Sequence, residues 1–219
     1  MIVVKCGGAV AGAAVDKIRA LAEDEQVVVV HGAGPQISQE MARRGLRVQF
    51  VRGRRVTDAP ALEVVRDAML AVNEALCAAL GADAVGLAGD EIGLQAVLVP
   101  ELGLVGRPLP SRPQAVLDAL EAGLIPVVAP LAAGPLNVNA DEAASALAVG
   151  LGATRIVFLS DVPGVLRDRA VLPRIEADEA DRLVDAGAFD GGIVPKLQAA
   201  VYAARLGLRA EIGATQVLA

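Results

Sequence analysis

Aromatic side chains are almost absent from this sequence. Phe, Tyr and Trp together make up 2% of its 219 residues, and there is no Trp. Proteins that bind single-stranded nucleic acid stack bases on aromatic rings, and nucleic-acid-binding domains in general carry a basic face. This sequence has few aromatic residues and a net charge of −6. We therefore expect no nucleic-acid partner.

Cysteine is also scarce, and long apolar runs are missing. Cys6 and Cys77 are too few for a disulfide framework or a zinc site. The longest apolar stretch, residues 123–138, contains three prolines and so predicts no membrane span. The sequence begins directly with the apolar segment Ile2–Val4, without the pattern of a signal peptide. We therefore expect a cytoplasmic protein with no membrane partner.

What the sequence does have is apolar content, since 54% of the residues are hydrophobic. Short β-branched runs alternate with amphipathic stretches along the chain. The predicted strands are 2–4, 27–30, 84–87, 94–99, 104–105, 125–128, 155–159 and 209–212, with a hairpin over 48–56 and a short strand at the end. The predicted helices are 15–23, 36–44, 61–80, 113–121, 139–150, 178–185 and 195–206. This alternation predicts an α/β sandwich with a mostly parallel sheet and ligand loops at the carboxyl ends of its strands.

Lysine is rare in this sequence, and only three of the 20 basic residues are lysines. Lys5 follows the first strand and precedes Gly7 and Gly8, and Lys196 follows Gly191 and Gly192 at the start of a helix. Glycine loops let backbone N–H groups approach an anion closely. For Lys5, an edge lysine beside an ordinary turn is the alternative.

The loop His31–Gln36, of sequence HGAGPQ, joins another predicted strand to a helix. Amides at a helix N-terminus favour phosphate or carboxylate, although a tight connection between strand and helix also explains the pattern. The loop is not a dinucleotide-binding fingerprint, because Ile37 stands where the third glycine belongs. We expect the single histidine, His31, to hydrogen-bond locally rather than to act in catalysis.

Three arginines cluster in the predicted hairpin. A guanidinium there can bind a substrate carboxylate with two hydrogen bonds, and Arg55 is the candidate. For Arg52 and Arg54 we expect a solvated hairpin face.

Polar residues also cluster where the helix 139–150 begins. The spacing of Asn139 and Glu142 is that of a capping box, so helix capping explains both. It explains Asn137 and Asp141 less well. An asparagine at a strand end can hydrogen-bond a bound carboxylate, and an aspartate in a first helical turn can hold a lysine ammonium group.

These features together suit the transfer of a phosphoryl group between two anions. That reaction needs positive charge on both sides of the moving group and N–H donors to its oxygens, with little covalent chemistry from the protein. The sequence contains neither a Walker loop nor a protein-kinase signature.

In these motifs the sequence resembles the amino-acid kinase family, and within it the enzymes that act on N-acetylglutamate. The matching segments follow the family's order over nearly the whole chain. They are Lys5–Gly8, His31–Pro35, Arg55–Thr57, Leu104–Gly106, Asn137–Asp141, Ser160–Leu166 and Gly191–Lys196.

The resemblance implies a three-layer αβα sandwich with two lobes. Residues 1–152 would bind N-acetyl-L-glutamate and form a homodimer through the helix 61–80, and residues 153–219 would bind ATP. The activity implied is ATP-dependent phosphorylation of the side-chain carboxylate of N-acetyl-L-glutamate to N-acetylglutamyl 5-phosphate, in arginine biosynthesis. Mg²⁺ would arrive on the nucleotide, with no protein metal site.

The resemblance also implies roles for individual residues. Lys5 and Lys196 would stabilise the transferring phosphoryl group, and Asp141 would orient them. The substrate-binding residues would be Gly8, Ala33, Gly34, Arg55 and Asn137. The nucleotide-binding residues would be Asp161, Val162, Pro163, Gly164, Val165, Leu166, Ala188, Phe189 and Asp190.

The sequence departs from the family's pattern at two places. The family usually has glycine where this chain has Ala33, and alanine would be strained if the position needs a positive φ. The sequence is also short for the family and is trimmed in its loops. Arginine-inhibited members carry a helix ahead of the first strand, whereas here Met1 is followed at once by Ile2–Lys5, so we expect no inhibition by arginine.

Two alternatives remain for the function. One is the related kinase whose aminoadipate or glutamate substrate is attached to an acidic carrier protein. The other is a catalytically silent ligand sensor on the same fold, which would not need Lys5, Asp141 and Lys196 together.

Overall fold

Strands and helices alternate through the chain, as the sequence predicts. The computed structural model describes residues 1–7, 12–159, 162–189 and 191–219. The helices are α1 (Gly12–Asp24), α2 (Gly34–Arg43), α3 (Ala59–Leu80), α4 (Gln114–Glu121), α5 (Ala140–Leu151), α6 (Ala177–Asp185) and α7 (Ile193–Arg205), and Pro100–Leu102 forms a short 3₁₀ helix. The strands are β1 (Ile2–Cys6), β2 (Val27–His31), β3 (Phe50–Val51), β4 (Arg54–Arg55), β5 (Ala84–Ala88), β6 (Ala96–Leu98), β7 (Val105–Pro108), β8 (Ile125–Ala129), β9 (Leu131–Ala132), β10 (Leu136–Val138), β11 (Arg155–Phe158), β12 (Leu166–Arg167), β13 (Ala170–Val171), β14 (Arg174–Glu176), β15 (Arg209–Ile212) and β16 (Thr215–Leu218).

Eight strands form the central sheet, in the order β14-β16-β15-β11-β1-β2-β8-β5. Neighbours from β15 to β5 pair in parallel, whereas β16 is antiparallel to β15 and parallel to β14. This sheet confirms the predicted α/β fold with its mostly parallel strands. Two of its inner strands, β1 and β2, end side by side, with Cys6 opposite His31.

Helices cover both faces of the sheet around β1 and β2. Alternate residues of β1 face opposite sides, so Ile2 and Val4 pack in a core with α1 and α3. Val3 packs in the core that α5 and α7 share. Because β-strand side chains alternate between faces, apolar residues on both faces are what a sheet buried between two helical layers requires.

The face of the central sheet that α1 covers becomes polar at β11 and beyond it. Arg155 of β11 pairs with Glu25 at 2.5 Å and with Glu211 of β15 at 3.3 Å. Arg209 and Arg174 are exposed farther along the same face. This end of the sheet therefore has a polar, solvated outer face within the described residues, while α6 and α7 cover its other face.

A second, four-stranded sheet, β6-β7-β10-β9, leads into α5. Asn139 caps that helix, since its side chain accepts hydrogen bonds from the N–H groups of Asp141 and Glu142. The predicted capping box is therefore half present, with Glu142 engaged elsewhere. Near the end of α5, a Cβ on Gly150 would lie 2.1 Å from the Ser111 carbonyl oxygen, so glycine permits this close approach of the helix to the chain.

Strands β9, β10, β12, β13 and β14 are not among the predicted strands, because each has only two or three residues, too few to show a period. Among the described residues, no helix is both long enough and apolar enough to span a bilayer.

Candidate active site

Asp141 lies between two lysines. Its Oδ1 is 2.9 Å from Lys5 Nζ and 3.3 Å from Lys196 Nζ. Lys5 is the penultimate residue of the central strand β1, Asp141 is in the first turn of α5, and Lys196 is in the first turn of α7. The fold therefore brings the three predicted catalytic residues together from distant parts of the chain.

This cluster is buried, and its charges do not cancel. About a tenth of each side chain or less is exposed, and two ammonium groups with one carboxylate carry a net charge of +1. Burial lowers the pKa of Lys196, the positive charge of Lys5 lowers it further, and Asp141 opposes both effects. Because a buried excess charge is costly, the cluster suits a ligand that supplies negative charge.

Arg55 supplies a third buried cation. Its guanidinium donates to the Gly34 carbonyl at 3.1 Å and to Ser38 Oγ at 2.8 Å, and it stacks 4.5 Å from the centre of the Phe50 ring. Only 5% of Arg55 is exposed. Within the described ranges no carboxylate pairs with it, so this arginine is available for a bound anion.

Asn137 is held beside this arginine by a short chain of hydrogen bonds. Its Nδ2 donates to Thr57 Oγ1 at 2.9 Å, and the Thr57 hydroxyl donates to the Arg55 carbonyl at 2.9 Å. Asn137 and Thr57 are both buried. The side-chain orientation of the asparagine is therefore set before any ligand binds.

The glycine-rich loop after β2 begins α2. Pro35 is in the first turn of that helix, and the N–H groups of Ala33 and Gly34 have no acceptor among the residues the structure describes. At Ala33 φ is −140°, so the position does not need the positive φ that would favour glycine. Alanine also keeps the backbone N–H, so the departure from glycine leaves the anion-binding N–H groups of the loop in place.

His31 lies at the start of this loop and makes contacts that the sequence did not reveal. Asn73 of α3 donates from Nδ2 to the Val127 carbonyl at 2.8 Å and approaches His31 Nε2 at 3.1 Å. Nε2 must then accept, so the proton is on Nδ1, which is 3.4 Å from the Gly32 carbonyl. Burial lowers the pKa of His31 to about 4, consistent with a neutral ring. The expectation of a local role for His31 agrees with these contacts.

Most of the predicted catalytic and substrate-binding residues face one cleft of about 390 Å³. Lys5, Asp141 and Lys196 line it together with Ala33, Gly34, Arg55 and Asn137. The N-terminal turns of α2, α5 and α7 also end at this cleft. Three helix dipoles and three buried cations therefore converge where two anions would meet. Gly8, the remaining predicted substrate residue, lies outside the described residues.

The predicted nucleotide residues are more scattered. Val162 and Pro163 line a separate cleft of about 700 Å³ beside α1. Gly164 and Val165 are buried, and the Val165 N–H donates to Thr215 Oγ1 at 2.8 Å. Leu166 and Ala188 are exposed, and Phe189 packs partly against the core. Asp161 and Asp190 lie outside the described residues.

One arginine differs from its prediction. Arg54, expected on a solvated face, is half-buried and donates to Glu142 through Nε at 2.8 Å and Nη2 at 3.0 Å. The two residues are far apart in sequence, so no local pattern indicates the pair. In the described part of the chain, no group of three His, Cys, Asp or Glu side chains is placed to hold a metal ion.

Known proteins are similar to this chain in sequence and in fold. The sequence pattern described as "Amino acid kinase family" matches residues 1–213. The acetylglutamate kinase of Rubrobacter xylanophilus is 42% identical over 221 residues, covering 96% of this chain and 87% of that protein. The chain belongs to the amino acid kinase family.

A second relative and a solved structure are also similar to this chain. The acetylglutamate kinase of Methanopyrus kandleri is 39% identical over 236 residues, covering 97% of this chain and 94% of that protein. The crystal structure of smu.665 from Streptococcus mutans superposes with a TM-score of 0.90, covering 99% of this chain and 98% of that one at 28% identity. The similarity to both extends over nearly the full chain rather than one segment.

Removing the shared carboxylate should destabilise this amino acid kinase more than removing a lysine. Asp141→Asn leaves two buried ammonium groups without a counter-charge and should lower the free energy of unfolding by about 3–5 kcal/mol. Lys196→Met leaves the Lys5–Asp141 pair intact and should change it by less than about 1.5 kcal/mol. Urea unfolding followed by far-UV circular dichroism measures both values. Equal losses would contradict the view that the cluster carries an excess positive charge.

Stability should also fall as the pH drops below neutral, because of His31. The unfolded chain binds a proton near its ordinary pKa of 6.5, whereas the folded protein resists protonation down to about 4. Between pH 7.5 and pH 5 this histidine should therefore cost about 2 kcal/mol of stability. Urea unfolding at both pH values, compared between the wild type and His31→Gln, isolates this contribution. A pH dependence of the same size in both proteins would refute it.

Proposed function

We propose that the chain catalyses ATP-dependent phosphorylation of the side-chain carboxylate of N-acetyl-L-glutamate, giving N-acetylglutamyl 5-phosphate in arginine biosynthesis. The observation that carries the proposal is the Lys5–Asp141–Lys196 cluster, which faces the same cleft as Arg55. Relatives named acetylglutamate kinase, at 42% and 39% identity, support the choice of substrate.

The residues act by binding and by charge. A side-chain carboxylate oxygen attacks the γ-phosphorus, a new P–O bond forms, and the bond to the leaving ADP breaks with its electron pair going to ADP. Lys5 and Lys196 are positioned to stabilise the negative charge on the moving group, and Asp141 keeps both ammonium groups in place. Ala33 and Gly34 would add backbone N–H donors, with Gly8 as a further donor.

The other end of the substrate would be bound by the second set of groups. Arg55 is suited to the carboxylate that does not react, and Asn137 to the amide or that same carboxylate. Because these groups bind parts of the substrate that do not change in the reaction, their effect is on affinity.

ATP would bind mainly to residues 153–219, and the acceptor to residues 1–152. Val162, Pro163, Leu166, Ala188 and Phe189, with Asp161 and Asp190, would surround the nucleotide. Gly164 and Val165 would support that loop from its buried side. Mg²⁺ would come with ATP, held mainly by phosphates and water.

The direct test is to trap the acyl phosphate with hydroxylamine. ATP and Mg²⁺ should give a hydroxamate with N-acetyl-L-glutamate, and little with glutamate or aspartate. Uridylate would give a phosphoanhydride that hydroxylamine does not trap, so its turnover is followed by the release of ADP. Carrier-linked aminoadipate and glutamate belong in the same panel. Equal or greater turnover of free glutamate or of a carrier-linked substrate would overturn the substrate assignment, and no turnover of any of them would favour a sensor.

Two substitutions should separate catalysis from binding. Lys196→Ala should lower kcat by about 10²-fold or more, because its charge matters most as the phosphoryl group moves. Arg55→Ala should instead raise the KM for N-acetyl-L-glutamate by about tenfold or more, with a smaller effect on kcat. Steady-state kinetics with each substrate varied in turn measures both. The same kinetic pattern in both variants would contradict this division of roles.

We also propose a homodimer formed through α3 and the edge strand β5. β5 is the last strand of the central sheet, and a groove of about 490 Å³ runs between it and α3. Leu70 lines this groove and is 37% exposed. An open sheet edge beside an exposed apolar side chain is a surface that natural proteins usually cover.

A charge in this groove should separate the protomers. Leu70→Glu would place a carboxylate at the proposed interface and should convert the dimer to a monomer. Leu206→Glu is the matched control, because Leu206 is also exposed but follows α7. Light scattering coupled to gel filtration gives both masses. A monomeric wild type, or a dimeric Leu70→Glu variant, would overturn the proposed interface.

A further inference from the structure

A second cavity lies behind the catalytic cluster. It has a volume of about 470 Å³ and is bounded by α5, α7 and the end of β7. On α7, Pro195, Gln198, Ala199 and Tyr202 face it, at the spacing of one helical face. Lys196 faces the catalytic cleft instead. The two cavities therefore lie on adjacent sides of the same helix.

The first turns of two helices lie between the cavities. On α5, Asp141 faces the catalytic cleft and Glu142 faces the second cavity. Arg54, which pairs with Glu142, and Pro195 line both. A molecule between α5 and α7 would thus touch the residues next to Asp141 and Lys196, whose separation is 3.3 Å.

The chemistry of the walls indicates what such a molecule would be. Leu109 and Tyr202 are 38% and 41% exposed and give the cavity apolar surface. The charge of Arg54 is balanced by Glu142, whereas Arg107 pairs with no carboxylate in the described ranges. The net charge of the wall is therefore +1, which is complementary to one carboxylate.

We propose that this cavity is a regulatory site for a small aliphatic monocarboxylate. Its carboxylate would pair with Arg107, and its apolar body would lie against Leu109 and Tyr202. By separating α5 from α7, the ligand would alter the Lys196–Asp141 contact and so change kcat. The binding is independent of the proposed function, whereas the effect on kcat rests on it.

The chain has a built-in reporter for binding. Tyr202 is the single tyrosine and there is no Trp, so intrinsic fluorescence comes from this cavity. Titration with hexanoate should change the emission and saturate, whereas hexylamine, of similar length and opposite charge, should not. Saturating N-acetyl-L-glutamate should leave the hexanoate signal in place.

Two variants with one control test the location. Arg107→Gln should weaken hexanoate binding by about tenfold or more, because it removes a charge-assisted hydrogen bond. Leu109→Ser should also weaken it, through lost apolar contact. Arg174→Gln removes an exposed arginine from the opposite face of the sheet and should have no effect. Equal affinities in all four proteins, a change that does not saturate, or complete displacement by N-acetyl-L-glutamate would overturn the site.

The regulatory part has its own readout in the hydroxamate assay. At saturating substrates, hexanoate should change kcat in the wild type and in Arg174→Gln, and much less in Arg107→Gln. Saturable fluorescence binding with an unchanged kcat in an active enzyme would overturn the regulatory role. An inactive enzyme that still binds hexanoate would instead contradict the proposed function.

Discussion

The shared carboxylate of Asp141 is the interaction on which the architecture of this protein depends. It joins the end of the central strand β1 to the first turns of α5 and α7, so three separate segments meet at one oxygen atom. Each lysine gains a counter-charge that compensates part of the cost of its burial. The remaining positive charge has no counter-charge within the cluster, and the proposed anionic substrate would supply one.

A second charge without a counter-ion among the described residues lies in the same cleft, at Arg55. Arg55 is surrounded by a carbonyl, a hydroxyl, a thioether and an aromatic ring, all of which are neutral. These contacts fix the orientation of the guanidinium without reducing its charge. A group preorganised in this way loses little conformational freedom on binding, so more of its interaction energy appears as affinity.

The sequence was sufficient for the features that short segments encode. Lys5, Asp141 and Lys196 could be selected because each is close to glycine, a strand end or a helix start, and parallel strands gather such positions at one edge. The Arg54–Glu142 pair and the His31–Asn73 contact could not be predicted. Each joins residues far apart in the chain, and only the packing of a hairpin against α5, or of α3 against β2, brings them together. Two-residue strands such as β12 and β13 could not be predicted either, because they have too few residues to show a period.

The position of β1 in the sheet has a consequence for how the protein is made. β1 pairs on one side with β2, which follows it closely, and on the other side with β11, which begins at Arg155. A growing chain therefore keeps one edge of β1 unpaired until β11 has left the ribosome. The cluster that contains Lys5 is completed later still, because Lys196 belongs to α7, which follows β11 in the chain. Residues 1–152 alone would expose the open edge of β1 to other chains, so the boundary between the two proposed lobes does not divide the protein into units that fold separately.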